Sequence, residues 1–200
     1  MKRFAGILLA VCMFALLASC SSAKPASLKN EIAAAELPAE QRSIVDLLSA
    51  PNLEFLIFDF SSDEAYSSVE LWVEVYKDGV VTDHPAGLTM FSDNSKKQTG
   101  RLAIVVNETP HYQWTLSIIN NGSRASQIST AEITVDPAIA RAYGPIDDPV
   151  KIEDGKEIIL YRSVFTMGNV NAYDCQTLQD RPELLKEYLF AHVIKCRFSK

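Results

Sequence analysis

Ser67-Ser68-Val69-Glu70-Leu71-Trp72-Val73-Glu74-Val75-Tyr76 is the stretch from which the fold class follows. Val69, Leu71, Val73 and Val75 alternate with Glu70, Trp72, Glu74 and Tyr76. A period of two sends successive side chains to opposite faces of a strand, so one face is apolar and the other carries acids and aromatics. Lys77-Asp78-Gly79 then supplies a hairpin turn into Val80-Val81-Thr82.

The same signal recurs on both sides. Leu53 to Phe60 is a strongly apolar strand, and further strands are expected over Gly87 to Phe91, Arg101 to Asn107, Tyr112 to Asn120, about Ser126 to Val135, and Lys156 to Thr166. Asn120-Asn121-Gly122 is a second tight turn. The final run from Leu189 reads as a strand, because Phe190, Ile194, Cys196 and Phe198 share one alternating face. Short strands at this spacing predict an all-β domain, a two-sheet antiparallel β-sandwich that is immunoglobulin-like or jelly-roll-like. A short amphipathic helix is expected before it, over Pro38 to Ser49, with Ile44, Val45, Leu47 and Leu48 on its apolar side. One or two short helices belong to the C-terminal half. Asp136 to Pro145 has an N-cap acid, a Pro and a closing Gly-Pro, and Asp180-Arg181-Pro182-Glu183 opens a turn or two through about Tyr188.

The N-terminus sets the address. Met1-Lys2-Arg3 is basic, and Phe4 to Ala18 is an apolar run too short to span a bilayer stably, the layout of an export signal. Leu17-Ala18-Ser19-Cys20 follows, and it resembles the lipobox of bacterial lipoproteins. That resemblance implies a signal peptide over 1–19, diacylglyceryl modification of Cys20, and a mature chain that starts there. Residues 20–37 are then a lipidated flexible tether and 38–200 a single domain, held by its lipid on the extracytoplasmic side of the cell membrane, in the periplasm or at the cell surface. Ser21 to Leu37 suits a tether, being rich in Ser, Ala and Lys without sustained periodicity.

The charge balance fits that address. Of 19 basic residues Lys2 and Arg3 leave with the signal, so 17 remain against 25 acidic ones and the net charge moves from -6 to -8. An acidic domain is a poor nucleic-acid binder. Cys12 also leaves and Cys20 is taken by the lipid, so Cys175 and Cys196 argue for one disulfide in an oxidising compartment, with two buried free thiols as the alternative.

Nothing in the sequence assigns a catalytic residue, a metal site or a cofactor. His84, His111 and His192 lie far apart, and no metal-ligand spacing joins them. Asp147, Asp148, Glu153 and Asp154 gather in one loop, but Pro149 interrupts any calcium-loop pattern. The residues most suited to binding are Trp72 and Tyr76, on the outward face of the Ser67–Tyr76 strand, where they would stack on a sugar or anchor a protein. The alternative is that Ile44, Leu47 and Leu48 of the preceding helix cover them. The expected function is a non-enzymatic binding module of the envelope with a protein or glycan partner. A tethered hydrolase acting on cell-wall or extracellular polymer is the alternative, and a purely structural or assembly lipoprotein is another.

Overall fold

A computed structural model describes residues 28–49, 52–92, 97–108, 111–133, 139–168 and 171–200. Cys20 and the lipobox lie outside these residues. Eleven strands are found among them: β1 (Glu31–Ala34), β2 (Leu53–Ser62), β3 (Ser68–Lys77), β4 (Val80–Phe91), β5 (Gln98–Asn107), β6 (Tyr112–Asn120), β7 (Ser123–Ala131), β8 (Ala140–Pro145), β9 (Val150–Lys151), β10 (Glu157–Thr166) and β11 (Phe190–Ser199). Two helices, α1 (Ala39–Leu48) and α2 (Cys175–Asp180), and a 3-10 helix (Pro182–Glu187) accompany them.

The strands form a six-stranded sheet, β7-β6-β5-β2-β1-β9, facing a five-stranded sheet, β4-β3-β11-β10-β8. Every pairing is antiparallel. The fold class is therefore the two-sheet all-β sandwich that the alternation predicts. Both predicted turns hold: Asp78 and Gly79 lie at φ 50° and 77°, and Asn121 and Gly122 at 47° and 85°. Two successive positive values match the twist a two-residue hairpin needs.

The inner faces follow the sequence period. Val69, Leu71 and Val73 of β3 are fully buried, facing Phe58 of β2, Leu102 and Ile104 of β5, and Trp114, Leu116 and Ile118 of β6 across one core. Burying each such side chain contributes roughly 1.5–3 kcal/mol. Phe198 of β11 meets Phe60 and Tyr66 edge-on at 5.1 and 5.7 Å, which closes the core where β1 begins. That end also carries Asn30, whose Oδ1 accepts from Ser62 Oγ and the Asp63 amide. The opposite end holds Glu54, Lys77, Asn107, Tyr112, Ala140, Thr166 and Phe190, the terminal or near-terminal residues of their strands.

Four expectations need correction. The 20–37 segment is not tether throughout, because Glu31 to Ala34 forms β1, inserted between β2 and β9. Asp136 to Pro145 does not form a helix where it is described: Ala140 to Pro145 is β8, an edge strand paired only with β10, where Pro145 needs no second partner for its missing N–H. The short helix expected after Asp180 does form, as the 3-10 helix Pro182–Glu187, but Asp180 does not cap it: Asp180 ends a separate α2, which Asp174 caps by accepting from the Thr177 amide at 2.6 Å.

Fourth, Cys175 and Cys196 are free, buried thiols rather than a disulfide. Cys196 sits between Lys195 and Arg197 on the inward-facing row of β11, level with inward Leu71 of β3. Cys175 opens α2 on the opposite side of the sheet, where its Sγ lies 3.7 Å from the Gly144 carbonyl and Arg162 Nε donates to the Tyr173 carbonyl. The two thiols thus belong to different elements, the helix packed on β10 and the inward row of β11, and neither is bonded to the other.

Candidate functional site

The outward face of β3 arranges its side chains around Glu74. Trp72 Nε1 donates to Glu74 Oε1 at 2.9 Å and the Tyr76 hydroxyl to Oε2 at 2.5 Å, while Lys195 Nζ of β11 lies 2.8 Å from Oε2. Lys195 also donates to Glu157 at 3.0 Å, and Arg197 pairs with Glu70 at 2.6 Å and lies 5.6 Å from the Trp72 ring. Burial alone would raise the Glu74 carboxyl, but hydrogen bonds from Lys195, Trp72 and Tyr76 outweigh it and hold it below the usual range. Burial and the bond to Glu74 push the Tyr76 phenol up to about 12. Tyr76 is buried and Trp72 half-buried, so the polar tips of both aromatics are spent inside the protein.

The helix expected to cover them does not. Ile44, Leu47 and Leu48 are 58%, 82% and 57% exposed, and α1 lies beside β2, where Val45 lines a shallow hollow with Phe55 and Ile57. The 3-10 helix instead closes the Tyr76 end of this face. Its Leu184 and Leu185 are buried, and Lys186 packs so tightly on the β3–β4 turn that a Cβ on Gly79 would collide with it.

A second constellation lies between the sheets at the end remote from β1. Its centre is His192 of β11, 2% exposed and boxed by four rings: Tyr112 and Trp114 of β6 at 4.5 and 5.5 Å, Phe190 at 4.6 Å and Phe165 of β10 at 5.9 Å. Its Nε2 has no hydrogen-bond partner. Burial, aided by the nearby charge of Arg141, pushes the imidazole down to about 3, so it is neutral at any ordinary pH. Arg141 of β8 is the second element. Its Nη1 donates to Glu108 Oε2 at 2.6 Å, its Nη2 to Glu54 Oε1 at 3.0 Å and its Nε to Ser163 Oγ at 2.7 Å. Nη2 also approaches Glu108 Oε1 at 2.5 Å, an ion contact outside hydrogen-bond alignment. The Tyr161 hydroxyl completes the cluster by donating to Glu54 Oε2 at 2.5 Å. Burial raises the Glu108 carboxyl above its ordinary range, opposed by Arg141. One guanidinium thus ties carboxylates from one sheet to hydroxyls on the other.

Beside this cluster the mouth of the sandwich opens into a cavity of about 440 Å³. Phe165 and Phe190, the rings against His192, form part of its wall.

A family model described as the YgaN domain matches residues 31–197. The chain belongs to the YgaN domain family. The YgaN match begins at the first residue of β1 and ends two residues short of the last residue of β11, so the family's unit is the whole sandwich and excludes the segment around Cys20. No curated protein and no solved structure matches the chain.

The other sequence candidates stay apart. His84 on β4 and His111 in the bend before β6 of the YgaN sandwich are both exposed. Asp154 in the acidic loop accepts from the Lys200 amide at 2.9 Å, and among the described residues no group of three His, Cys, Asp or Glu is placed to hold a metal ion. No helix among them is long and apolar enough to cross a membrane. The Arg141 cluster escaped sequence reading, since Glu54 and Tyr161 are 107 residues apart and no local motif joins them. The one available signal was a pair of aromatics, Tyr112 and Trp114, two apart on the inward face of a predicted strand.

Proposed function

We propose that this chain is a lipid-anchored, extracytoplasmic binding module of the cell envelope, which holds a protein or glycan partner at the end of the sandwich remote from its tether. The observation that carries this reading is polarity. The chain enters the fold at Glu31, eleven residues after Cys20, at one end, and the open cavity lies at the other. An anchor at one end and an open mouth at the other suit a molecule that reaches away from a bilayer. The lipobox resemblance supports the anchor. The non-enzymatic part is supported by Glu54 and Glu108, the carboxylates drawn together at this mouth: Arg141 engages both, which leaves neither free for acid–base work on a polymer.

The test is metabolic labelling with a fatty-acid probe and membrane fractionation of the wild type and Cys20→Ala. Label and membrane retention should both vanish in the variant, and equal labelling of the two would overturn the anchor.

A further inference from the structure

We infer that the far-end cavity takes a segment of partner polypeptide presenting one large apolar side chain with a lysine or arginine beside it. This rests on the proposed binding role and gives its partner a chemistry. Phe165, Phe190, Leu189, Ile133, Ile139 and Val75 make the apolar wall, and the one neutral polar side chain of the lining, Thr82, donates its hydroxyl to the Val75 carbonyl at 3.3 Å. Behind the wall His192 is buried against the two phenyl rings, so its Nε2 is not offered to a ligand. A volume of about 440 Å³ suits a bulky side chain with its flanking backbone. Leu189 is 39% exposed, so part of this wall meets solvent rather than the core.

The rim decides the sign of the partner. Asp83 and Glu132 are exposed at its edge and form no ion pair among the described residues, against the single cation Lys77. The imbalance favours a positive group beside the apolar one, and it disfavours a fatty acid, whose carboxylate would meet two others. The chain's own N-terminal segment does not suit the cavity either. It joins the fold at the opposite end, and strands of ten residues separate the ends by roughly 33 Å.

The test uses the full chain with labelled Ile and Leu methyls, in lipid nanodiscs if it fractionates with membranes and in buffer if it does not. The probe is a Gly/Ser host peptide carrying one phenylalanine flanked by lysines. Titration should shift the methyl signals of Ile133, Ile139 and Leu189, and should fail to do so when the phenylalanine becomes alanine or the lysines become glutamates. Asp83→Asn combined with Glu132→Gln, both at exposed positions, should weaken the response roughly two- to tenfold with an unchanged melting temperature. No shift, equal shifts with the glutamate peptide, or a response to decanoate in place of the peptide would each overturn the inference, the last by making the cavity a lipid site. Membrane fractionation is read separately, so a soluble chain that binds the peptide refutes the anchor alone, and an anchored chain that ignores it refutes the cavity alone.

Discussion

Acid sensitivity in this protein centres on one imidazole. His192 titrates near 6.5 in an unfolded chain and at about 3 when boxed by its four rings. Below pH 6.5 the unfolded chain therefore takes up a proton that the folded one refuses. Stability present above that pH is lost as pH falls toward 3, at roughly 1.4 kcal/mol per unit. Urea titrations at pH 7 and pH 5 should show the loss, and His192→Phe, which keeps the box filled without a titratable nitrogen, should remove most of it. Glu74 acts in a lower window. Its carboxyl is depressed in the fold, so its contribution is present above the ordinary carboxylate range and fades only as pH drops through it. Arg141 matters at every pH: Arg141→Met leaves Glu54 and Glu108 facing each other in a half-closed site. The cost should be about 3–5 kcal/mol, read as a fall in melting temperature, and adding Glu54→Gln and Glu108→Gln should restore part of it. Trp72→Ala should cost less than the roughly 3–5 kcal/mol of a core ring, since the indole is half-buried and held by Glu74 and Arg197.

The elements divide by how much of their placement is local. β3, β5 and β6 were legible because each keeps its alternation over nine or ten residues, and α1 because Ile44, Val45, Leu47 and Leu48 fall at helical spacing. β1 was not, because Glu-Ile-Ala-Ala offers one large apolar residue; Ile32 is fully buried only through pairing with β2 and β9. Ala140 to Pro145 carries helix-forming alanines and an end-stop Gly-Pro, so tertiary pairing with β10 overrides a local preference of a few tenths of a kcal/mol per residue. β4 runs unbroken through Pro85, which an edge strand tolerates, and its register with β3 slips beside that residue. The mouth stayed hidden for a related reason: its lining comes from four strands, β3, β4, β10 and β11, and from the segments between strands. At α2, Asp174→Ala should cost about 1 kcal/mol by removing the cap on the Thr177 amide, measurable in the same urea titrations.

At the scale of the whole molecule the two thiols report on closure. Burial pushes the Cys175 thiol up to about 12 and the Cys196 thiol further still, so neither is a nucleophile at neutral pH. Iodoacetamide should leave both untouched in the native protein and alkylate both in denaturant without any reductant. A pair that stays blocked in denaturant until reductant is added would show that the two cysteines are bonded after all. The position of β1 has a mechanical meaning as well. Its four residues are flanked on one side by β2 and on the other by β9, and the chain leaves Glu31 along the strand axis. Drag on the domain, resisted at the N-terminus, would load the rungs of both ladders together in shear rather than peel them one by one. Such a strand works as a mortised tenon: set one place in from the rim of the larger sheet, it passes force arriving through the N-terminus to β2 and the short β9 together instead of peeling either alone.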